Sequence, residues 1–186
     1  MIYLVRHGQT DWNVERKTQG HTDIPLNENG KNQAHNLSDK ISNFKIDKVI
    51  SSDLLRAKET AEIINEKFNV SIECDKRLRE MNYGDLEGVC RDELTPDIWE
   101  IFNNEPDKLH AEHIESVFDR VKSFFDELNL NDENILIVTH GGTLRMIMYY
   151  ANYKDKFDKK IYMENFQHKK IKNADILEWK DEIKIV

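Results

Sequence analysis

Short apolar runs alternate along this chain with segments whose apolar residues recur at helical spacing, and few folds accept that pattern. Ile2–Val5, Lys48–Ser51, Val70–Cys74 and Ile135–Val138 have the length and composition of buried strands, and 174–186 closes the chain as one or two more. Between them, Ala34, Leu37, Ile41 and Phe44 follow at spacings of 3, 4 and 3 behind Asn27, a side chain suited to an N-cap. Leu54, Ala57, Ala61, Ile64 and Phe68 form a second stripe. Thr95-Pro96 opens a short helix through Ile98, Trp99 and Phe102, with proline where a missing N–H is harmless. Ile114, Val117, Val121, Phe124 and Leu128 make a third long stripe, and 143–151 is expected to be helical. The alternation predicts an α/β chain folded as one domain over 1–186. Its expected form is a three-layer α/β/α sandwich on a mostly parallel sheet, with a small helical cap from 81–130.

Charge narrows the partners. The formal charge is −8, from 27 Lys plus Arg against 35 Asp plus Glu. A nucleic-acid binder needs a basic stripe to displace counterions, and an anionic membrane surface needs the same, so neither is expected. A small anionic ligand remains compatible, because a pocket can be positive on an acidic protein. No run approaches the ~20 apolar residues of a membrane span. The start, Met1-Ile2-Tyr3-Leu4-Val5-Arg6-His7, lacks the layout of a signal peptide, so a cytoplasmic protein is expected. Cys74 and Cys90 are expected to be reduced thiols.

Unusual residues concentrate in four segments: Arg6-His7-Gly8-Gln9-Thr10 with Trp12-Asn13, Ser51-Ser52-Asp53-Leu54-Leu55-Arg56-Ala57 with Thr60, Leu78-Arg79-Glu80 with Tyr83-Gly84 and Glu87-Gly88, and Thr139-His140-Gly141-Gly142. Each alone has an ordinary explanation: a loop histidine, a solvated arginine, a surface ion pair, a strand-to-helix turn. Together they hold five of the seven glycines, at 8, 84, 88, 141 and 142. Two of the expected strands also run into a histidine at their carboxyl ends, where such sheets bind ligands. His110 and His113 lack a third ligand, so no metal site is expected. His21 lies near enough in sequence to His7 to touch a substrate. The lysines at 154, 156, 159 and 160 alternate with Asp155 and Asp158, as on a solvated face.

In this order, from Arg6 to near Asn173, the segments resemble the histidine phosphatase superfamily, the phosphoglycerate mutase-like family. That resemblance implies that His7 is a nucleophile forming a phosphohistidine, because a neutral imidazole nitrogen attacks phosphorus near neutral pH. Arg6 and Arg56 would hold the phosphoryl oxygens with planar forks, and His140, ideally as imidazolium, would add a donor. Asn13, Gln19, Gly20, Gly141 and Thr60 match positions around the phosphate, with Thr60 orienting Arg56 from four residues on. Glu80 matches the general acid that later activates water. No metal and no cofactor are implied, since cationic side chains take the electrostatic role. Gln9 departs from the glutamate that the family often has there. The implied activity is a phosphomonoesterase acting on a small phosphorylated metabolite. The alternatives are a cofactor-dependent mutase, which would need a 2,3-bisphosphoglycerate primer, and a non-catalytic module that binds phosphorylated ligands. The phosphatase is favoured because the similar mutases are longer, with an extended tail, and because Leu78-Arg79-Glu80 through Gly88 looks more like the small phosphatases. Retention of His7 and Glu80 argues against the binding module. A homodimer is left open.

Overall fold

The computed structural model describes residues 1–129, 133–180 and 182–185. Six strands form one sheet: β1 (Ile2–Arg6), β2 (Lys48–Ser51), β3 (Ile72–Cys74), β4 (Ile135–Thr139), β5 (Ile176–Trp179) and β6 (Ile183–Ile185). Their order is β3-β2-β4-β1-β5-β6. The first four are mutually parallel, while β5 and β6 join antiparallel at one edge. The sheet is therefore mixed, parallel where the histidine-bearing strands lie. Of the expected closing segment, Asp181 and Val186 lie outside the described residues, as does Leu130 at the end of the 81–130 segment.

Among the described residues the α-helices are α1 (Asp11–Val14), α2 (Glu28–Lys40), α3 (Leu55–Asn65), α4 (Pro96–Asn104), α5 (Ile114–Glu127), α6 (Gly141–Asn152) and α7 (Lys159–Asn165). The two-residue alternation of strands splits the core in two. Leu4, Ile50, Ile135, Ile137 and Leu177 face one side with Val121 and Phe124 of α5 and Leu144 and Ile147 of α6. Val5, Val49, Leu136, Val138 and Ile176 face the other with Leu37 of α2 and Ala57, Ala61 and Ile64 of α3. That is the three-layer sandwich. The 81–130 segment supplies the cap through α4 and its flanking turns, and its last helix, α5, also joins α6 in a layer.

Boundaries follow local chemistry. Asn27 caps α2 as expected, its Oδ1 accepting from Gly30 N–H at 2.8 Å. Thr95 caps α4 with Pro96 at the first turn. The apolar stripes outrun their helices, because Phe44, Phe68 and Leu128 pack on the core from the turns beyond. α6 starts at Gly141, two residues earlier than expected, with His140 as its N-cap residue. α7 falls where the lysine-rich segment gives no helical stripe: Asp158 caps it and Tyr162 anchors it, while Lys154, Lys156 and Lys160 remain exposed. α3 lacks a side-chain cap of its own, and Asp23 from a distant loop accepts from Leu55 N–H at 2.7 Å instead.

Candidate active site

Strand register brings the two histidines together. Arg6 stands opposite Thr139 in the β1–β4 ladder, and His7 N–H extends that ladder to the Thr139 carbonyl at 2.9 Å. His7 and His140 thus leave adjacent strands at one level, their ring centroids 5.1 Å apart. On the other side of β4, Ser52 N–H donates to the Val138 carbonyl at 2.9 Å, which leaves Ser52 Oγ 2.8 Å from His140 Nε2. Three neighbouring strand ends therefore deliver Ser52, His140 and His7 side by side.

The protonation of His7 is set by its neighbours. Its Nδ1 lies 2.7 Å from the Gly8 carbonyl, which can only accept, so Nδ1 carries the proton and Nε2 keeps its lone pair. Burial, then Arg56 and Arg6, push its pKa well below the ordinary value of 6.5. His140 is pushed down likewise, by burial first and then by Arg56 and His7. The free site therefore holds His140 neutral rather than as the expected imidazolium. The His140 Nε2 shares a hydrogen bond with the Ser52 hydroxyl, and its Nδ1 is buried without a partner.

Both arginines are sunk beside these rings. Arg56 is fully buried and donates to the Gly20 carbonyl at 2.7 Å and the Thr22 carbonyl at 3.1 Å. Arg6 donates to the Ile171 carbonyl at 2.5 Å. Burial lowers each pKa to about 10, against the raising influence of Glu80, and both stay protonated at neutral pH. Among the described residues neither has an ion-pair partner, and both Nε atoms are buried without an acceptor. Buried cations in that condition are costly unless an anion answers them.

Glu80 sits on the amino end of α6. Its Oε2 accepts from Gly142 N–H at 2.9 Å, and its Oε1 accepts from Thr143 N–H and Met81 N–H, each at 3.1 Å. Orphan amides and the positive end of the helix dipole hold the carboxylate. A Cβ on Gly142 would stand 2.3 Å from Glu80 Oε1, so only glycine permits this approach. Gly141, the first residue of α6, has Arg6 on one side. The residue before Glu80, Arg79, makes a two-pronged pair with Asp53 at 2.7 and 2.6 Å, tying the Glu80 segment to the end of β2.

The remaining expected residues line or brace this cluster. Asn13 Oδ1 accepts from Thr10 N–H at 3.0 Å and from Asn173 Nδ2 at 3.3 Å, which leaves its NH₂ as the donating end. Gln19 is buried and takes the Thr10 hydroxyl at 2.9 Å. Thr60 does not touch the Arg56 guanidinium: its hydroxyl donates to the Arg56 carbonyl at 2.6 Å and accepts from Gly8 N–H at 3.0 Å. It links α3 to the His7 loop, because a side chain four residues on reaches back to a backbone carbonyl, not a side-chain tip. Gly20 acts through its carbonyl on Arg56. His21 Nε2 contacts the Glu80 carbonyl at 2.9 Å. His110 and His113 pair separately with Asp85 and Asp107. Among the described residues no three His, Cys, Asp or Glu side chains gather as a metal-binding set, and Cys74 and Cys90 are free.

Sequence reasoning places Ser52 and Glu87 in its four segments without giving either a role, and misses Asn173. Ser52 lies in the same segment as Arg56, whose charge gives the stronger signal. Asn173 donates to the His7 carbonyl at 3.0 Å from far along the chain, with no local signal. The Glu87 carboxylate gathers His21 N–H at 2.8 Å, Thr22 N–H at 2.7 Å and Tyr83 N–H at 3.1 Å, and so holds the loop whose carbonyls hold Arg56. A Cβ on Gly20 would fall 1.9 Å from Glu87 Oε1 and 2.8 Å from Tyr83 N. Gly20→Ala is therefore expected to cost about 1–3 kcal/mol of stability, as overpacking does, and to weaken phosphate binding through Arg56. Urea unfolding and the phosphate dissociation constant check both.

The histidines also predict a pH effect. Below about 6.5 an unfolded chain protonates its imidazoles, while buried His7 and His140 resist until lower pH. Stability is expected to fall as pH drops from about 6.5 toward their depressed folded-state values. Urea midpoints at mildly acid and neutral pH test this, and His140→Asn is expected to shrink the difference.

Comparison with known proteins agrees with this geometry. The model of the histidine phosphatase superfamily (branch 1) matches residues 2–176. An uncharacterized phosphatase, PhoE, of Bacillus subtilis is 37% identical over 151 residues, covering 79% of this chain and 75% of its own. Phosphoglycerate mutase-like protein 4 of Arabidopsis thaliana is 36% identical over 157 residues, 78% of this chain and 68% of its own. A probable phosphoglycerate mutase, GpmB, of Yersinia pestis is 47% identical over 96 residues, and there the chain spans 45% of the relative's length. Among solved structures, a phosphoglycerate mutase from Thermus thermophilus superposes with a TM-score of 0.72 at 27% identity, over 98% of this chain and 95% of that one. A mycobacterial glucosyl-3-phosphoglycerate phosphatase shares the fold with a TM-score of 0.79 at 24% identity, over 100% and 95%. Matched over residues 2–176, the chain belongs to the histidine phosphatase superfamily, branch 1.

Proposed function

We propose that this chain is a phosphomonoesterase that works through a phosphohistidine on His7. The observation that carries the reading is the His7 tautomer: Nδ1–H is committed to Gly8, and Nε2 is a neutral nitrogen with a free lone pair. In the first step Nε2 forms a bond to phosphorus as the ester P–O bond breaks. Arg6, Arg56 and His140 meet the charge on the transferring oxygens, with Asn13 NH₂ as a neutral donor. Glu80 gives its proton to the leaving oxygen. Its Oε1 already accepts two N–H groups and its Oε2 only one, so Oε2 has the lone pair that carries the proton. In the second step Glu80 takes a proton from water, the hydroxide attacks phosphorus, the N–P bond breaks and phosphate leaves.

Water must reach the phosphohistidine for this to be hydrolysis. A cavity of about 600 Å³ adjoins the site through Gly142 and Met81, far more room than a three-carbon phosphoglycerate fills. It supports a phosphatase over a mutase, as does the likeness to the Bacillus subtilis phosphatase. The proposed setting is a cytoplasmic enzyme without metal or cofactor, acting on a small phosphorylated metabolite. The test is phosphate release from a generic aryl phosphate with and without EDTA, beside 3-phosphoglycerate isomerisation with a bisphosphoglycerate primer. Rapid, chelator-insensitive phosphate release is expected. Primer-dependent isomerisation that outpaces release would make the chain a mutase, and loss of activity with EDTA would end the metal-free mechanism.

A further inference from the structure

The cavity of about 600 Å³ is lined by none of Arg6, His7, Arg56, Glu80 or His140. It opens beside them instead, at Gly142 and Met81, the residues whose amides hold Glu80. A leaving group protonated by Glu80 therefore extends into it. Two features of its wall select what that leaving group is.

The first is aromatic. Tyr83 and Phe102 stack with centroids 5.1 Å apart, and Trp99 meets Phe102 edge-on at 5.6 Å. Met81, Val117 and Met163 add to this surface. The second is a cation with no close ion pair among the described residues. Arg145 projects from α6 into the lining, its Nε fully buried without an acceptor. Its pKa is raised, against burial, by Tyr83, Tyr162 and Glu80 nearby, and among the described residues it forms no ion pair. A Cβ on Gly141 would lie 3.4 Å from Arg6 Nε and 3.8 Å from Arg145 Nη1, so the two guanidinium groups flank one residue. The exposed Arg91 and His168 line the same cavity, where the acidic residue among the described lining is the exposed Glu115. Glu80 acts on both Arg6 and Arg145, but Arg145 lines the cavity wall and Arg6 does not.

We propose that Arg145 forms a second anion subsite, so that the substrate is a phosphate monoester of an apolar or aromatic alcohol carrying a second anionic group, such as a carboxylate. The carboxylate pairs with Arg145 while the apolar body lies on Tyr83, Trp99 and Phe102. This deepens the phosphatase reading and rests on it for the word substrate, but the subsite itself is a binding claim. Arg145 is a specificity residue here and takes no part in bond breaking.

The test separates binding from turnover. Kd is measured by calorimetry for two non-hydrolysable phosphonates, N-acetyl-phosphonomethylphenylalanine and its amide, which differ only in the carboxylate. The wild type is expected to bind the acid roughly tenfold more tightly or better, the range of a charge-assisted bond. The ratio is expected to fall toward one in Arg145→Gln and to survive in Arg145→Lys. Equal affinities in the wild type overturn the proposal without recourse to any variant, and so does a ratio unchanged in a folded Arg145→Gln. In parallel, kcat/KM for N-acetyl-phosphotyrosine against its amide is expected to show the same preference. Failure to hydrolyse either ester, with the Kd ratio intact, would defeat the phosphatase reading and uphold the subsite.

Discussion

Replacing His7 by alanine is expected to slow phosphate release from an aryl phosphate by on the order of ten-thousand-fold or more, the scale of losing a covalent nucleophile. The loss belongs almost wholly to kcat, because Arg6 and Arg56 keep their carbonyl supports at Ile171, Gly20 and Thr22. Phosphate affinity is expected to hold or improve, since removing a ring leaves the two cations in place. Stability is expected to change little at neutral pH, because the backbone bond from His7 N–H to Thr139 survives the substitution. Rapid-quench kinetics and phosphate titration check these together. Residual turnover near the wild-type rate would assign the nucleophile elsewhere.

The second large effect lies at Glu80. Glu80→Gln removes the proton that a poor leaving group needs, and general acids contribute about 10²–10⁴ in rate. Hydrolysis of alkyl phosphates is expected to fall by that factor, while formation of the phosphoenzyme from an ester with an acidic leaving group survives. Its breakdown, which needs Glu80 as base, is expected to slow, so the phosphoenzyme accumulates. The substitution also disturbs structure. Both carboxylate oxygens accept amides of α6 or Met81, and a glutamine must turn an NH₂ toward one of them. A stability loss of about 1 kcal/mol, as for a lost helix cap, is expected in urea unfolding. Gly142→Ala is a useful companion, because its Cβ displaces Glu80 Oε1 without changing the carboxylate's chemistry. It is expected to reproduce the loss on poor leaving groups. Equal losses on alkyl and aryl esters in Glu80→Gln would remove the acid–base role.

How much of this is legible in the sequence depends on whether the signal is local. The strand at Ile135–Thr139 and the helix after it can be read because apolar period and turn chemistry lie within a dozen residues. His7 and His140 are visible because both follow directly on strands, and a parallel sheet aligns strand ends. The closing strands β5 and β6 show as strands, yet their antiparallel pairing is a property of the sheet and not of their own residues. The site's braces are illegible for the same reason. Ser52 reaches His140 through the β2–β4 register, and Asn173 reaches His7 from 166 positions away. Glu87 gathers amides of a loop 65 and 66 positions distant. Thr60 falls on the expected helix face, but the helix spends its hydroxyl on backbone, a competition that spacing alone does not decide. The charge of His140 departs from expectation because composition shows cations nearby but not how deeply they and the ring are buried.

The central claim is that phosphate passes through His7 Nε2, and one measurement meets it most directly. Glu80→Gln is mixed with a radiolabelled aryl phosphate, quenched within its first turnover, and the labelled protein is digested and mapped. The account predicts one equivalent of label, lost in acid and stable in base as an N–P bond requires, on the peptide containing His7, and none in the His7→Ala, Glu80→Gln double variant. Label on another residue, or an aryl alcohol burst with no labelled protein at all, would contradict it.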